Sequence, residues 1–131
     1  MRTALIIPTR NAGPYLDQLL PALTRQTLQP DEFLVVDSQS TDNTVERLRA
    51  AGARVEVIAA KTFNHGGTRR WASQQVNADI LIYLTQDAIP HDTLTFARIK
   101  EELLSSADIG MAYGRQLPHP QAGLLATHAR H

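Results

Sequence analysis

Short apolar runs recur along the chain at residues 4–8, 32–37, 54–59, 80–85 and 109–113. Each is too short for an amphipathic helix and alternates little, the pattern of strands buried on both faces of a parallel sheet. Between them apolar residues return at helical spacing: Tyr15, Leu16, Leu19, Leu20 and Leu23; Val45 and Leu48; Trp71, Ala72 and Val76; then Leu94, Ala97, Ile99 and Leu103. The order βαβαβαβαβ predicts one α/β domain with a Rossmann-like, mostly parallel sheet, right-handed crossovers and helices on both faces. Pro21 lies inside the first helical pattern, and its missing N–H predicts a kink or a break near Leu20, at a cost of about 3 kcal/mol. From residue 116 onward the periodicity fades and Pro118, Pro120 and Gly123 appear, so the chain divides into an α/β domain over 1–115 and a loop over 116–131.

Composition narrows the function. With 131 residues and 43% hydrophobic content the chain is long enough for one compact core. Thirteen basic residues balance thirteen acidic ones, so the global field favours neither nucleic acid nor an acidic membrane, and anion recognition must come from a local cluster. The absence of cysteine excludes disulfides, thiolate nucleophiles and Cys-type zinc sites, and fits a reducing cytoplasm. No stretch approaches the roughly 18 apolar residues of a membrane span. A cytoplasmic location is expected, with a peripheral place at the inner face of the cell membrane left open.

In open α/β sheets ligands bind at the carboxyl ends of the strands. The segments that follow the predicted strands are rich in polar chemistry: Pro8-Thr9-Arg10-Asn11, then Asp37-Ser38-Gln39-Ser40-Thr41-Asp42, then residues 61–70, then Thr85-Gln86-Asp87-Ala88. Asp37, after Phe33-Leu34-Val35-Val36, is placed to accept a hydrogen bond from the imide N–H of a pyrimidine; an Asx-turn or a helix cap is the competing reading. Ser40, Thr41 and Asp42 read as an ordinary helix start. In Phe63-Asn64-His65-Gly66-Gly67-Thr68-Arg69-Arg70 a glycine pair precedes a helical pattern whose first turn carries two guanidinium groups. A bound diphosphate would compensate these cations at the positive end of a helix; arginines pointing into water are the alternative. Asp87, just past a buried strand, suits a hard divalent cation whose shell phosphate oxygens complete, or else a turn before a helix capped by His91 or Asp92.

Taken together, Ile6-Ile7-Pro8-Thr9-Arg10-Asn11, the run from Val35 to Thr44 and Leu84-Thr85-Gln86-Asp87-Ala88-Ile89-Pro90 resemble the motifs of family 2 inverting glycosyltransferases with the GT-A fold. Phe63-Asn64-His65-Gly66-Gly67-Thr68-Arg69 and Tyr113-Gly114-Arg115-Gln116-Leu117-Pro118 are similar to the rhamnosyltransferase branch. The resemblance implies a nucleotide-sugar site of Pro8, Thr9, Arg10, Asn11, Asp37, His65, Gly66, Arg69, Gln86 and Asp87. Within it Asp37 binds the base, Arg69 reaches the base or the diphosphate, and Asp87 holds Mg²⁺ or Mn²⁺. Asp87 matches the second aspartate of the family's D-x-D motif, and Thr85 replaces the first.

By the same resemblance the donor is a nucleoside diphosphate sugar, dTDP-rhamnose favoured over a UDP-sugar, and the acceptor a polysaccharide or glycolipid hydroxyl attacked with inversion. Members of the family generally run much longer and carry their general base in an acceptor-binding half. The fold is therefore expected to stop after about the fifth strand, with no base in this chain and a sheet edge open to self-association. A non-catalytic nucleotide-sugar-binding module is the rival reading. A nucleotidyltransferase would need a glycine- and lysine-rich loop after the first strand, and a dinucleotide-binding dehydrogenase a G-x-G-x-x-G; Pro8-Thr9-Arg10-Asn11 is neither.

Overall fold

The computed structural model describes residues 2–60, 65–105, 111–113 and 124–128, with side chains over 2–60 and 67–105. In chain order the elements are β1 (Thr3–Thr9), α1 (Gly13–Thr24), β2 (Glu32–Asp37), α2 (Thr44–Ala50), β3 (Arg54–Val57), α3 (His65–Gln74), β4 (Ile80–Leu84), α4 (Thr95–Leu104), β5 (Met111–Tyr113) and β6 (Leu124–His128). They build one sheet in the order β3-β2-β1-β4-β6-β5. The first four strands are mutually parallel, and β6 runs antiparallel to both β4 and β5. The predicted α/β architecture with a mostly parallel sheet is the one observed.

Side chains alternate across a strand, so β1, β2 and β4 each feed two cores. Leu5 and Ile7 of β1, Val35 of β2 and Ile80, Ile82 and Leu84 of β4 point to one face, where Leu16, Leu19 and Leu23 of α1, Leu48 of α2 and Phe96, Ile99 and Leu103 of α4 cover them. Ala4, Ile6, Leu34, Val36, Leu81 and Tyr83 point to the other, against Ala72 of α3 with Val76 and Ile58. Both neighbours of every central strand residue are therefore apolar, which is why the runs show no alternation. Among the described residues no helix is long and apolar enough to cross a membrane.

Three expectations need correction. First, α1 runs unbroken through Pro21. Pro21 lies on the exposed face, and the carbonyl it leaves without an N–H partner, that of Asp17, belongs to an exposed residue that water can reach. The Arg25 N–H closes the turn on the Pro21 carbonyl at 3.1 Å, while Leu16, Leu19 and Leu23 hold the buried face.

Second, residues 124–128, assigned above to a loop, form β6, which lies between β4 and β5 in the sheet. The unpaired edge of β4 supplies the reason. Ile80 to Leu84 are all buried, and their outward N–H and C=O groups need a partner strand there. That requirement outweighs a local sequence signal weakened by Pro118, Pro120 and Gly123. Third, α3 begins at His65, so Gly66 and Gly67 fall within its first turn and Arg69 and Arg70 beyond it. Glycine has no side chain to oppose the α conformation, and including one costs only about 1 kcal/mol relative to alanine.

Candidate functional site

Strand order reverses between β1 and β4, since β2 and β3 lie to one side of β1 and β4 to the other. The carboxyl ends of strands on either side of such a switch point splay apart and leave a crevice. A cavity of about 270 Å³ lies there, lined by Pro8, Thr9, Arg10, Ser38, Ala60, Arg69, Thr85 and Gln86. Strand parity explains most of this wall. Pro8 continues the Ala4–Ile6 side of β1, Ser38 the Leu34–Val36 side of β2 and Thr85 the Leu81–Tyr83 side of β4, all facing α3, which contributes Arg69.

Asp37 does not line this cavity. It points to the opposite face and is 0% exposed. Its Oδ1 accepts hydrogen bonds from Thr9 Oγ1 (2.7 Å) and Ser40 Oγ (2.6 Å), and its Oδ2 accepts one from the Ser40 N–H (2.8 Å). The expectation that this carboxylate binds a base is corrected: it is the closing bolt of two loops, the Asx-turn reading in a fully buried form.

Those loops are stitched further. Asn11, in the left-handed region at φ 48°, donates its N–H to Ser40 Oγ (2.8 Å), and its Oδ1 accepts the Thr41 N–H (2.8 Å). Asp42 accepts from the Gly13 N–H (3.1 Å), from the Thr44 N–H (3.0 Å) and from the Thr44 hydroxyl. A Cβ on Gly13 would sit 2.8 Å from that carboxylate, so a larger residue would have to push the Asp42 side chain off its hydrogen bonds. The Thr44 hydroxyl bond, foremost, holds the Asp42 carboxyl below its ordinary value. Ser40, Thr41 and Asp42 thus have the structural role their sequence suggested, although α2 itself starts later, at Thr44.

Ser38 is the residue that sequence reasoning missed. It is 4% exposed, and among the described residues Ser38 Oγ and Arg69 Nε are the buried side-chain polar atoms without a hydrogen-bond partner. A buried donor left unpaired costs about 1–3 kcal/mol, so two of them on one cavity wall mark where a ligand would supply partners. The Arg69 guanidinium lies 5.9 Å from the centroid of the Tyr83 ring, and the Tyr83 hydroxyl donates to the Arg69 carbonyl at 3.2 Å. Burial pushes the Tyr83 phenol above its ordinary value, so it remains a neutral donor.

Of the other residues singled out from the sequence, Pro8, Thr9, Arg10, Arg69 and Gln86 line the cavity, and the Arg10 N–H donates to Gln86 Oε1 at 2.8 Å, joining the ends of β1 and β4. Asn11 lies outside the wall, engaged as described. His65 and Gly66 open α3, and their positions beyond the backbone lie outside the described residues, as do Phe63 and Asn64. Asp87 is half-buried in the turn that the Ala88 N–H closes on the Thr85 carbonyl (3.0 Å), next to the wall rather than on it. Among the described residues no three carboxylate or imidazole side chains gather around a point. Asp87 could hold a divalent cation where substrate phosphates supply further oxygens, a donor set that suits Mg²⁺ or Mn²⁺. His91 and Asp92 lie further on, where Asp92 accepts from the Leu94 N–H (2.9 Å) and Thr95 Oγ1 (3.0 Å) at the start of α4.

Comparison with known proteins gives consistent findings. The model of Glycosyl transferase family 2 matches residues 4–115. The O-antigen chain rhamnosyltransferase RfbN of Salmonella typhimurium is 44% identical over 99% of this chain and 42% of its own length. WbaN of Salmonella anatum, also an O-antigen chain rhamnosyltransferase, is 38% identical over 96% of this chain and 40% of its own. The chain thus spans well under half the length of these relatives. Among solved structures, mannosyltransferase PcManGT from Pyrobaculum calidifontis, in complex with GDP-Man and Mn²⁺, superposes with a TM-score of 0.79 at 20% identity, covering 97% of this chain and 44% of that one. Glucosyl-3-phosphoglycerate synthase from Mycobacterium tuberculosis, with Mn²⁺, UDP and glucosyl-3-phosphoglycerate, gives 0.77 at 19% identity, covering 98% and 57%.

Proposed function

The chain belongs to Glycosyl transferase family 2, and from that premise we propose that it forms the donor-binding part of a rhamnosyltransferase. In this reading a nucleoside diphosphate sugar, dTDP-rhamnose before a UDP-sugar, occupies the crevice between β1 and β4. Its sugar passes with inversion to a hydroxyl of a polysaccharide or lipid-linked acceptor. The observation that carries the reading is the pair of unpartnered buried atoms, Ser38 Oγ and Arg69 Nε, on one cavity wall. A hydroxyl can accept from the imide N–H of thymine or uracil or donate to its carbonyls, and a guanidinium donates to carbonyl or phosphate oxygens. The names of the two Salmonella relatives favour rhamnose.

Each residue has a part that its chemistry allows. Pro8 and Ala60 supply apolar surface beside the nucleoside, Ser38 meets the polar edge of the base, and Arg69 and Arg10 face the diphosphate. Asp87 would hold Mg²⁺ or Mn²⁺ together with phosphate oxygens. The cation, when bound, supplies neutralisation of the charge that develops on the departing diphosphate.

The described cavity wall holds no carboxylate or imidazole, so nothing on it can deprotonate an acceptor hydroxyl. That observation favours a purely leaving-group role for these residues and gives weight to the second reading, a module that binds nucleotide sugar without transferring it. Titration calorimetry with dTDP, UDP and GDP, each with and without Mn²⁺, tests the binding site. Binding of dTDP or UDP that weakens in Ser38→Ala supports it, and no binding of any of the three refutes it. Donor consumption with and without a polysaccharide acceptor then separates transferase from binding module.

A further inference from the structure

Gln39 follows Ser38 directly and adopts φ 53°, a left-handed conformation that L residues other than Asn, Asp and Gly rarely occupy. Asn11, the other non-glycine residue of this kind among those described, has a side chain suited to it. Gln39 has no such local preference, and its side chain is exposed, so burial does not hold it there either. What its amide does is reach 21 residues along the chain, where Oε1 accepts the Ala60 N–H at 2.9 Å. Ala60 and Ser38 both line the cavity. We propose that Gln39 is a positioning residue for the nucleotide cavity: its side chain ties the segment after β3 to the end of β2 and so fixes the distance between the Ala60 and Ser38 walls.

The left-handed turn and the tether act together. The turn at Gln39 lets the chain leave β2 with Asp37 bolted inward and Ser38 facing the cavity, while the amide pulls the Ala60 backbone across to close that side. The bond is solvent-accessible and lies two residues beyond the Ile58 N–H bond to the Asp37 carbonyl (2.8 Å), which pairs the end of β3 with the end of β2. Without it the Ala60 N–H loses its acceptor, and the Ala60 side of the cavity is less firmly preformed. A ligand must then order that wall itself, which weakens binding with no ligand contact removed.

The proposal rests on the reading of the cavity as a nucleotide site, and the test separates the two. In the full chain, Gln39→Ala keeps the strained backbone and loses the acceptor, Gln39→Gly loses both, and Gln39→Glu keeps an acceptor. Calorimetry with dTDP and Mn²⁺ in about 0.5 M salt, where the added carboxylate charge is screened, reads the site. Amide hydrogen exchange at Ala60 reads the tether, and thermal melting reads stability. Affinity is expected to fall about 3- to 10-fold in both Gln39→Ala and Gln39→Gly, the worth of one hydrogen bond, and to hold in Gln39→Glu. Exchange at Ala60 should quicken in the same two variants, although Gln39→Gly melts higher than Gln39→Ala. A purely structural residue would make affinity follow melting temperature instead. Parent-like affinity or unchanged Ala60 exchange in Gln39→Gly, or affinity in Gln39→Glu as weak as in Gln39→Ala, overturns the proposal. If the parent binds none of dTDP, UDP and GDP, it is the nucleotide reading that fails, and Ala60 exchange still reports whether the tether exists.

Discussion

Asp37 and Ser38 are neighbours in the chain with opposite surroundings, because successive side chains at a strand end face opposite sides of the sheet. This gives a crossed pair of predictions. Asp37→Ala leaves the buried Thr9 hydroxyl and the part-buried Ser40 hydroxyl and N–H without their acceptor, and should cost about 3 kcal/mol of stability. Ser38→Ala removes a hydroxyl with no protein partner, so its melting temperature should equal or exceed that of the parent while dTDP affinity falls about 3- to 10-fold. Thermal melts and calorimetry on both variants decide it; an Asp37→Ala protein that melts like the parent but binds poorly would reverse the two assignments. The sequence motif could locate the strand end but not choose between adjacent residues. The choice depends on which face carries α3, and that is set by the crossover between β3 and β4, which lies outside the motif.

At the scale of elements, the helices are held at their ends by side chains from other segments. Gln26, just past α1, is 4% exposed; its amide donates to the Asp92 carbonyl at 2.5 Å, and its Oε1 accepts the Phe96 N–H at 3.1 Å, binding α1 to the start of α4. Gln26→Leu should therefore cost about 2–3 kcal/mol despite similar volume, because a buried N–H and C=O lose their partners; a denaturant midpoint equal to that of the parent would contradict it. The starts of α2 and α4 respond to acid. Asp42 is held below its ordinary value chiefly by the Thr44 hydroxyl, and Asp92 chiefly by the Leu94 N–H. A carboxyl whose folded pKa is depressed binds its proton more readily in the unfolded chain, so its stabilisation is present above the unfolded value of about 3.9 and is lost as pH falls through the folded one. Melting temperature should stay level from neutral pH down to about 5 as far as these two groups go, then drop below about pH 4. Asp42→Asn and Asp92→Asn should each make that drop shallower, and an acid limb identical to the parent's would show that neither contributes. Helices and parallel strands were legible from periodicity because each buries its own apolar face. The path of α1 through Pro21 was not, since it depends on the proline facing water, and neither was β6, whose partner is a strand forty residues earlier.

The whole molecule brings five separate segments to one crevice: the ends of β1, β2 and β4, the stretch after β3, and α3. Order and spacing of motifs could foretell that convergence, because a parallel sheet sends every strand's carboxyl end the same way. Its electrostatic balance emerges only in three dimensions. The chain carries equal numbers of acidic and basic residues, yet the described wall contains Arg10 and Arg69 and no acidic side chain, while Asp87 stands beside it. A cavity so lined would attract a diphosphate by itself, whereas a cation would meet one carboxylate and two guanidinium groups. Metal alone should accordingly bind weakly, and metal with dTDP should bind as a unit. Because linkage is reciprocal, the factor by which dTDP raises Mn²⁺ affinity must equal the factor by which Mn²⁺ raises dTDP affinity. With a coupling of about 1–3 kcal/mol, typical for two ligands that act on each other, that factor is about 5- to 150-fold. Asp87→Ala should reduce the coupling severalfold while leaving metal-free dTDP binding close to that of the parent, since the carboxylate lies off the cavity wall. Calorimetric titrations of each ligand in the presence and absence of the other, on parent and variant, close the cycle. Equal Mn²⁺ affinity with and without dTDP would remove Asp87 from the site and leave the two arginines as the sole counter-charge to the diphosphate.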